Sequence, residues 1–384
     1  MKQEPAIQDL FDGATARAAA AAALLQQSVR VGPRGRGTGS SPTPRFTHKS
    51  KEAVADSWYL RADDSQKPVA TKVHVEQART VISRNQSPDV PFNQSINPYR
   101  GCEHGCVYCY ARPSHSFVDL SPGLDFETQI FAKTNAAALL ERELLAPGYR
   151  CSPINLGANT DPYQPVEKDK GITREILEVL DRLDHPVTII TKGALILRDL
   201  DILERMAKRN LVSVAISITT LDNKLKRTLE PRAASPGARL RTMRELTARG
   251  IPVTLLLAPV IPALNDHEIE SIVNAAADAG ARSARYIFLR LPFEVKELFS
   301  DWLIDHYPLR ARHVLNLIGE SRGGKAYDAD FAQRMTGTGP YAKMIRKRFD
   351  NVVSKRHLNV SEQVELDTGL FTRNHPSQAQ LSLI

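Results

Sequence analysis

Three of the four cysteines in this 384-residue chain fall in one short stretch, RGCEHGCVYCYAR, residues 100–112. They are Cys102, Cys106 and Cys109, spaced C-x3-C-x2-C. Clustered thiolates favour iron–sulfur clusters or zinc. A structural zinc ion takes four protein ligands, so zinc would draw on His104 or His115. A [4Fe–4S] cluster held by three cysteines leaves one iron open to bind and activate a small molecule. Gly101 and Gly105 permit the turns of such a loop and the approach of its backbone to a bulky group. Cys151, alone in GYRCSPIN, reads as a small buried hydrophobe. Four cysteines with three clustered are not a disulfide framework.

The elements that position this loop are legible from about residue 93. Apolar or β-branched runs at 94–99, 152–158, 186–192, 211–218, 251–260 and 284–291 read as strands. Helical patterns lie between them at 133–145, 173–183, 200–209, 238–249 and 267–279. Strand–helix alternation with nearly continuous apolar strands predicts parallel strands buried on both faces. Asp199 and Asp266 are expected as N-caps, and Gly250 and Gly280 as glycines just past helix ends. Six units predict an α/β fold with a curved sheet or partial barrel, whose function gathers at the C-terminal strand ends. Those ends carry the cysteine loop, NTDPYQP, TKG, Ser217 with Thr219, APVIPALND and LRLP.

With Tyr108 directly before the last cysteine, the motif resembles the signature of the radical S-adenosylmethionine (radical SAM) superfamily. The resemblance implies that the amino and carboxylate groups of S-adenosylmethionine chelate the open iron of a [4Fe–4S] cluster. Reduction of the cluster would then cleave the sulfonium to a 5′-deoxyadenosyl radical, which abstracts a substrate hydrogen. It also implies a partial (β/α)6 barrel, in agreement with the strand count. SINPYRGCEHGCVYCYAR, NTDPYQP and TK resemble the spore photoproduct lyase-like branch over roughly residues 80–350. That enzyme carries a cysteine hydrogen donor at the end of its second strand. The aligned position here is Ala158, and Cys151 belongs at the strand's other end.

The resemblance implies a set of cofactor contacts. Tyr108 packs near the adenine. Asn159, Thr160 and Asp161 stand where the family meets the methionyl amino group. Lys192 pairs with the methionyl carboxylate, and Ser217 and Thr219 meet the ribose. In LEPRAASPGAR, Glu230 and Arg232 follow, Arg232 being a second carboxylate partner. Val260 and Leu291 frame the adenine. Arg290, at the sixth strand end, points into the barrel mouth as the candidate catalytic residue facing substrate. Arg100, His104, Arg112 and His115 crowd the loop and are expected chiefly to pin it.

With 51 Lys and Arg against 43 Asp and Glu, the net charge is +8, compatible with a polyanionic partner. Arg30, Arg34, Arg36, Arg45, Lys49 and Lys51 form one basic group. Lys343, Arg346, Lys347, Arg348, Lys355 and Arg356 form another. No apolar run is long enough for a membrane span, and no secretory leader is read at the N-terminus, so a cytoplasmic protein is expected. Residues 1–75 divide into an Ala-rich helix and a disordered basic linker. Residues 76–296 form the partial barrel, 297–360 a helical extension and 361–384 an extended tail. The final QLSLI, from Gln380 to Ile384, resembles a bacterial sliding-clamp peptide, with two apolar anchors suited to a groove. The expected partners are a reductant such as flavodoxin or ferredoxin, nucleic acid, and the clamp. The rival reading is a non-catalytic iron–sulfur or zinc protein that binds nucleic acid, with Cys151 or His115 near the metal.

Overall fold

In the computed structural model, residues 35–46, 69–325, 327–331, 333–360 and 365–373 are described. Six parallel strands carry the fold: β1 (Gln94–Ile96), β2 (Ile154–Leu156), β3 (Val187–Thr191), β4 (Val212–Ser217), β5 (Val253–Val260) and β6 (Ser283–Phe288). They lie side by side in chain order, with Ser83–Arg84 added antiparallel outside β1. The register is parallel throughout, as in Ile154↔Val187 and Val187↔Val212. β1 and β6 do not pair, so the barrel is partial. The helices α1 (Ala136–Leu145), α2 (Ile172–Arg182), α3 (Leu200–Lys208), α4 (Pro236–Ala248) and α5 (Ile269–Asp278) fill the connections. Ile154, Leu156, Val187, Ile189, Val212, Val214, Val253 and Leu255 are buried under Leu140, Ile176, Leu203, Met243 and Ile272 of those helices.

The first predicted strand divides. Residues 94–96 stay in the main sheet, while Tyr99–Arg100 pairs with Gln129–Lys133, which also pairs with Lys72–Glu76. Pro98 has no N–H for a ladder and so separates the two pieces. Its carbonyl accepts from Lys133 N at 3.0 Å. This small second sheet is the stem from which the cysteine loop springs.

Several expectations change. Residues 35–46 and 69–75 are described, within the stretch expected as linker. The stretch 35–46 packs on the protein because Gly37 and Thr38 donate to the buried carboxylate of Glu127. Asp199 stands at the N-cap of α3 but makes no capping bond; it accepts instead from Arg174, Arg198 and Tyr163. Asp266 accepts from Tyr341, and Asn265 holds the preceding turn. Side-chain caps come from Asp222 and Ser235. Gly250 and Gly280 do take positive φ, 75° and 91°.

After the barrel come α6 (Val295–His306), α7 (Pro308–Glu320) and α8 (Gly339–Lys355). Phe299, Leu303, Val314 and Ile318 of α6 and α7 share a core with Cys106, Val107 and Tyr108, so the extension backs the loop. In the tail, Phe371 packs on Tyr149 and His185. Residues 1–27 and Gln380–Ile384 lie outside the described residues, as do Arg30, Arg34, Lys49 and Lys51. No helix among the described residues is long and apolar enough to cross a membrane.

The ends of β1 and β2 are joined by Asn97, whose Oδ1 accepts from Asn159 N at 2.8 Å and Thr160 N at 3.3 Å. Replacing Asn97 by Ala leaves these N–H groups unpaired. It is expected to cost about 1–3 kcal/mol, read as a lower denaturant midpoint with Asn97→Asp close to wild type.

Candidate functional site

The cysteine loop leaves the small sheet at Gly101 and turns back at Gly105, with φ of 79° and 67°. Cys102 N donates to Phe126 O at 2.9 Å and Val107 N to Leu229 O at 3.1 Å. Arg112, fully buried, is its main brace. Nε donates to Cys106 O at 2.9 Å, Nη1 to Gly123 O at 2.9 Å, and Nη2 to Glu127 Oε1 at 2.6 Å. Gln164 holds the other side, accepting from Glu103 N at 2.9 Å and donating to Gly101 O at 3.1 Å. His115 Nε2 faces Gln129 O at 3.1 Å, and burial lowers its pKa to about 4, so it is a neutral packed ring. Arg100 pairs with Glu76 at 2.9 Å. These four neighbours of the loop pin its surroundings.

Beyond the loop, β3 and β4 present a polar cradle. Lys192 Nζ lies 2.5 Å from Ser217 Oγ, 3.2 Å from Ala258 O and 3.5 Å from Glu230 Oε1. It also stands 5.8 Å over the Tyr108 ring. Thr219 Oγ1 donates to Glu230 Oε1 at 2.6 Å and lies 3.1 Å from Tyr108 Oη. Glu230 is the hub: fully buried, it also accepts from Tyr108 Oη and Arg239. Burial opposes its charge, but Arg239, Lys192 and these hydroxyls hold its carboxyl well below the usual range.

The structure thus gathers Tyr108, Lys192, Ser217 and Thr219 beside the loop. Asp161 is near but committed: it accepts from Thr191 Oγ1 and Lys192 N, both at 2.7 Å, and meets His104 Nδ1 at 3.3 Å. Thr160 Oγ1 donates to Tyr99 O at 2.8 Å, and Asn159 Nδ2 reaches Ser114 Oγ at 3.4 Å. Arg232 gives its guanidinium to Glu103 at 2.9 Å. Val260 and Leu291 are buried, in the main core and in the core behind the loop respectively. Arg290 lies 5.3 Å over the Tyr110 ring and 3.4 Å from Tyr327 Oη, and its Nε has no partner among the described residues. Tyr110 in turn donates to Ala158 O.

A group that fits these thiols must supply positive charge. Burial raises the pKa of each. That of Cys106 goes to about 12, with Glu230 adding to the effect and Lys192 opposing it. Cys102 is raised first by burial, then by Asp161 and by the other two cysteines. Bound metal reverses this, because a coordinating thiol is deprotonated outright. Among the described residues no three His, Cys, Asp or Glu side chains converge as the ligands of one ion would. Three thiol donors are soft ligands of the kind that iron–sulfur clusters and zinc both take. Cys151 packs at the foot of β2, near Tyr149 and Asp367, with the cysteine loop at the opposite strand end.

Residues 96–276 match the radical SAM superfamily. A relative from Mycobacterium tuberculosis is 38% identical over 221 residues, covering 57% of this chain. That match spans 65% of the relative's own length, less than two thirds. A relative from Methanocaldococcus jannaschii is 28% identical over 232 residues, 60% of this chain and 82% of the relative. Spore photoproduct lyase complexed with dinucleoside spore photoproduct is 15% identical with a TM-score of 0.51, covering 74% of this chain and 79% of that one. The fold is therefore common to the two.

Glu127, Gln164 and Arg239 escaped the sequence reading, and Glu230 was noted only as a neighbour of Arg232. Nothing local marks an acid that will be buried; the signal is its partner in space. Glu230→Gln keeps the shape of the hub but strips the counter-charge from Arg239 and Lys192. It is expected to destabilise the cluster-free protein by about 3–5 kcal/mol in chemical denaturation.

Proposed function

We propose that this chain is a radical SAM enzyme in which Cys102, Cys106 and Cys109 hold a [4Fe–4S] cluster and S-adenosylmethionine completes the open iron. The observation that carries this reading is the opposition of three thiols, Cys102 and Cys106 buried and Cys109 half-buried, to the Lys192–Ser217–Thr219 cradle, with Cys151 at the far end of β2. When reduced, such a cluster supplies the electron that cleaves the sulfonium. The protein's own part is binding and exclusion. Lys192 offers an ammonium for a carboxylate, Ser217 and Thr219 offer hydroxyls, and Tyr108 covers one side of the loop. Val107, Leu291 and the α6–α7 pair keep the back of the loop dry.

Arg290, stacked over the Tyr110 ring, and Tyr110 itself are the proposed substrate contacts. A nucleic-acid base or lesion is the proposed substrate, and a flavodoxin or ferredoxin the proposed reductant. The first is supported by the dinucleoside named with the lyase of similar fold. Charge supports it too: Lys343, Arg346 and Lys347 form an exposed basic face on α8. Arg348 and Arg356 do not extend that face freely, since they pair with Glu270 and Asp278.

Anaerobic reconstitution followed by chemical reduction is expected to yield 5′-deoxyadenosine from wild type and none from Cys106→Ala. Equal product from both, or none from a loaded wild type, would refute the reading. Lys192→Met should load its cluster normally and bind S-adenosylmethionine about ten-fold more weakly, the loss of one charged hydrogen bond.

A further inference from the structure

Residues 35–46 read from composition as linker, yet they cross the outside of the cysteine loop. Gly37 N and Thr38 N donate to the two carboxylate oxygens of Glu127 at 2.8 and 3.1 Å, and Thr38 Oγ1 lies 3.3 Å from Oε1. The same carboxylate holds Arg112, which grips the Cys106 carbonyl. Contact with the loop is also direct. A Cβ on Gly37 would stand 1.7 Å from the Gly105 carbonyl oxygen, so only glycine fits. A second tie runs through Arg36, which donates to Glu127 O at 2.9 Å and Thr71 Oγ1 at 3.0 Å. Thr71 in turn donates to Glu103 Oε1 at 2.6 Å. Further along, Ser121 Oγ donates to Pro42 O at 2.7 Å and Arg45 pairs with Glu294 at 2.7 Å.

The loop needs such a cover. It turns at two glycines with positive φ, residues with the most conformational freedom to lose. Barrel residues hold Glu103 and His104 from within, through Gln164 and Asp161. The segment 35–46 meets Gly105 directly and reaches Glu103 through Thr71.

We propose that residues 35–46 are the outer wall of the cluster site and that Glu127 is the positioning residue joining this wall to Cys106 through Arg112. The wall fixes the spacing of the three thiols and shields the loop from solutes. This rests on the reading of the thiols as cluster ligands.

The test uses the full chain reconstituted anaerobically, comparing wild type with Gly37→Val, Thr38→Val and the conservative Thr38→Ser. Loss of the cluster's visible absorbance in EDTA is timed, and the electron paramagnetic resonance spectrum of the reduced cluster is recorded. Gly37→Val is expected to lose its cluster about ten-fold faster, as outer-shell changes do at metal sites, with an altered line shape. Thr38→Val should move the same way, and Thr38→Ser should match wild type. Circular dichroism of each variant checks its fold; if Gly37→Val misfolds, the Thr38 pair decides. Wild-type rates and spectra in both Val variants would overturn the wall alone. A wild-type chain that takes up no cluster would overturn the reading beneath it as well.

Discussion

Charge placed in a buried site must be paired, and the surroundings of the three-cysteine loop answer to that demand. The thiols stand among acids as well, with Asp161 and Glu230 adding to the charge that must be met. Lys192 and Arg239 both meet Glu230, Arg112 meets Glu127, and His104 Nδ1 stands 3.3 Å from Asp161. On the proposed reading, what they leave is the charge of the thiolates themselves, which iron would balance. Removing one member of a buried charged set costs more than the set contributes. The side chains that carry no chemistry are therefore as constrained as those that do.

The strands deliver this arrangement because their C-terminal ends lie together. Asn159–Asp161 follow β2, Lys192 follows β3, Ser217 closes β4 with Thr219 just beyond, and the loop follows β1 after the short detour into the second sheet. Parallel pairing fixes the neighbours: Thr191 lies beside Ile216, so Lys192 and Ser217 emerge next to each other. Behind the loop, Trp302 of α6 donates to Thr228 O at 3.0 Å, tying the helical extension to the segment that carries Glu230. In front lies the segment 35–46. The loop is thus held by chain from before, within and after the barrel.

Much of this was legible in the sequence. Apolar runs separated by amphipathic helices gave six parallel strands, because period and burial are written locally. The loop was legible because its cysteines and glycines are adjacent in sequence. Lys192 and Ser217 were legible as polar residues at the ends of apolar runs. What could not be read was pairing over long separations. Glu127 with Gly37, Arg334 with Asp89 and Arg232 with Glu103 meet only in the fold. The segment 35–46 misled for the same reason. Gly, Pro and Ser suggest a linker, but here glycine serves close packing and backbone N–H groups serve a distant carboxylate. The expected caps at Asp199 and Asp266 failed likewise, since tertiary partners outbid the local N–H groups.

The central claim is a three-thiolate cluster with one iron left for S-adenosylmethionine. The most direct measurement is electron paramagnetic resonance of the reduced, reconstituted protein with and without S-adenosylmethionine, in wild type and in Cys151→Ala. A signal that shifts on adding S-adenosylmethionine, identically in both proteins, is the predicted result. A signal that S-adenosylmethionine leaves unmoved, or a cluster lost with Cys151, would contradict the account.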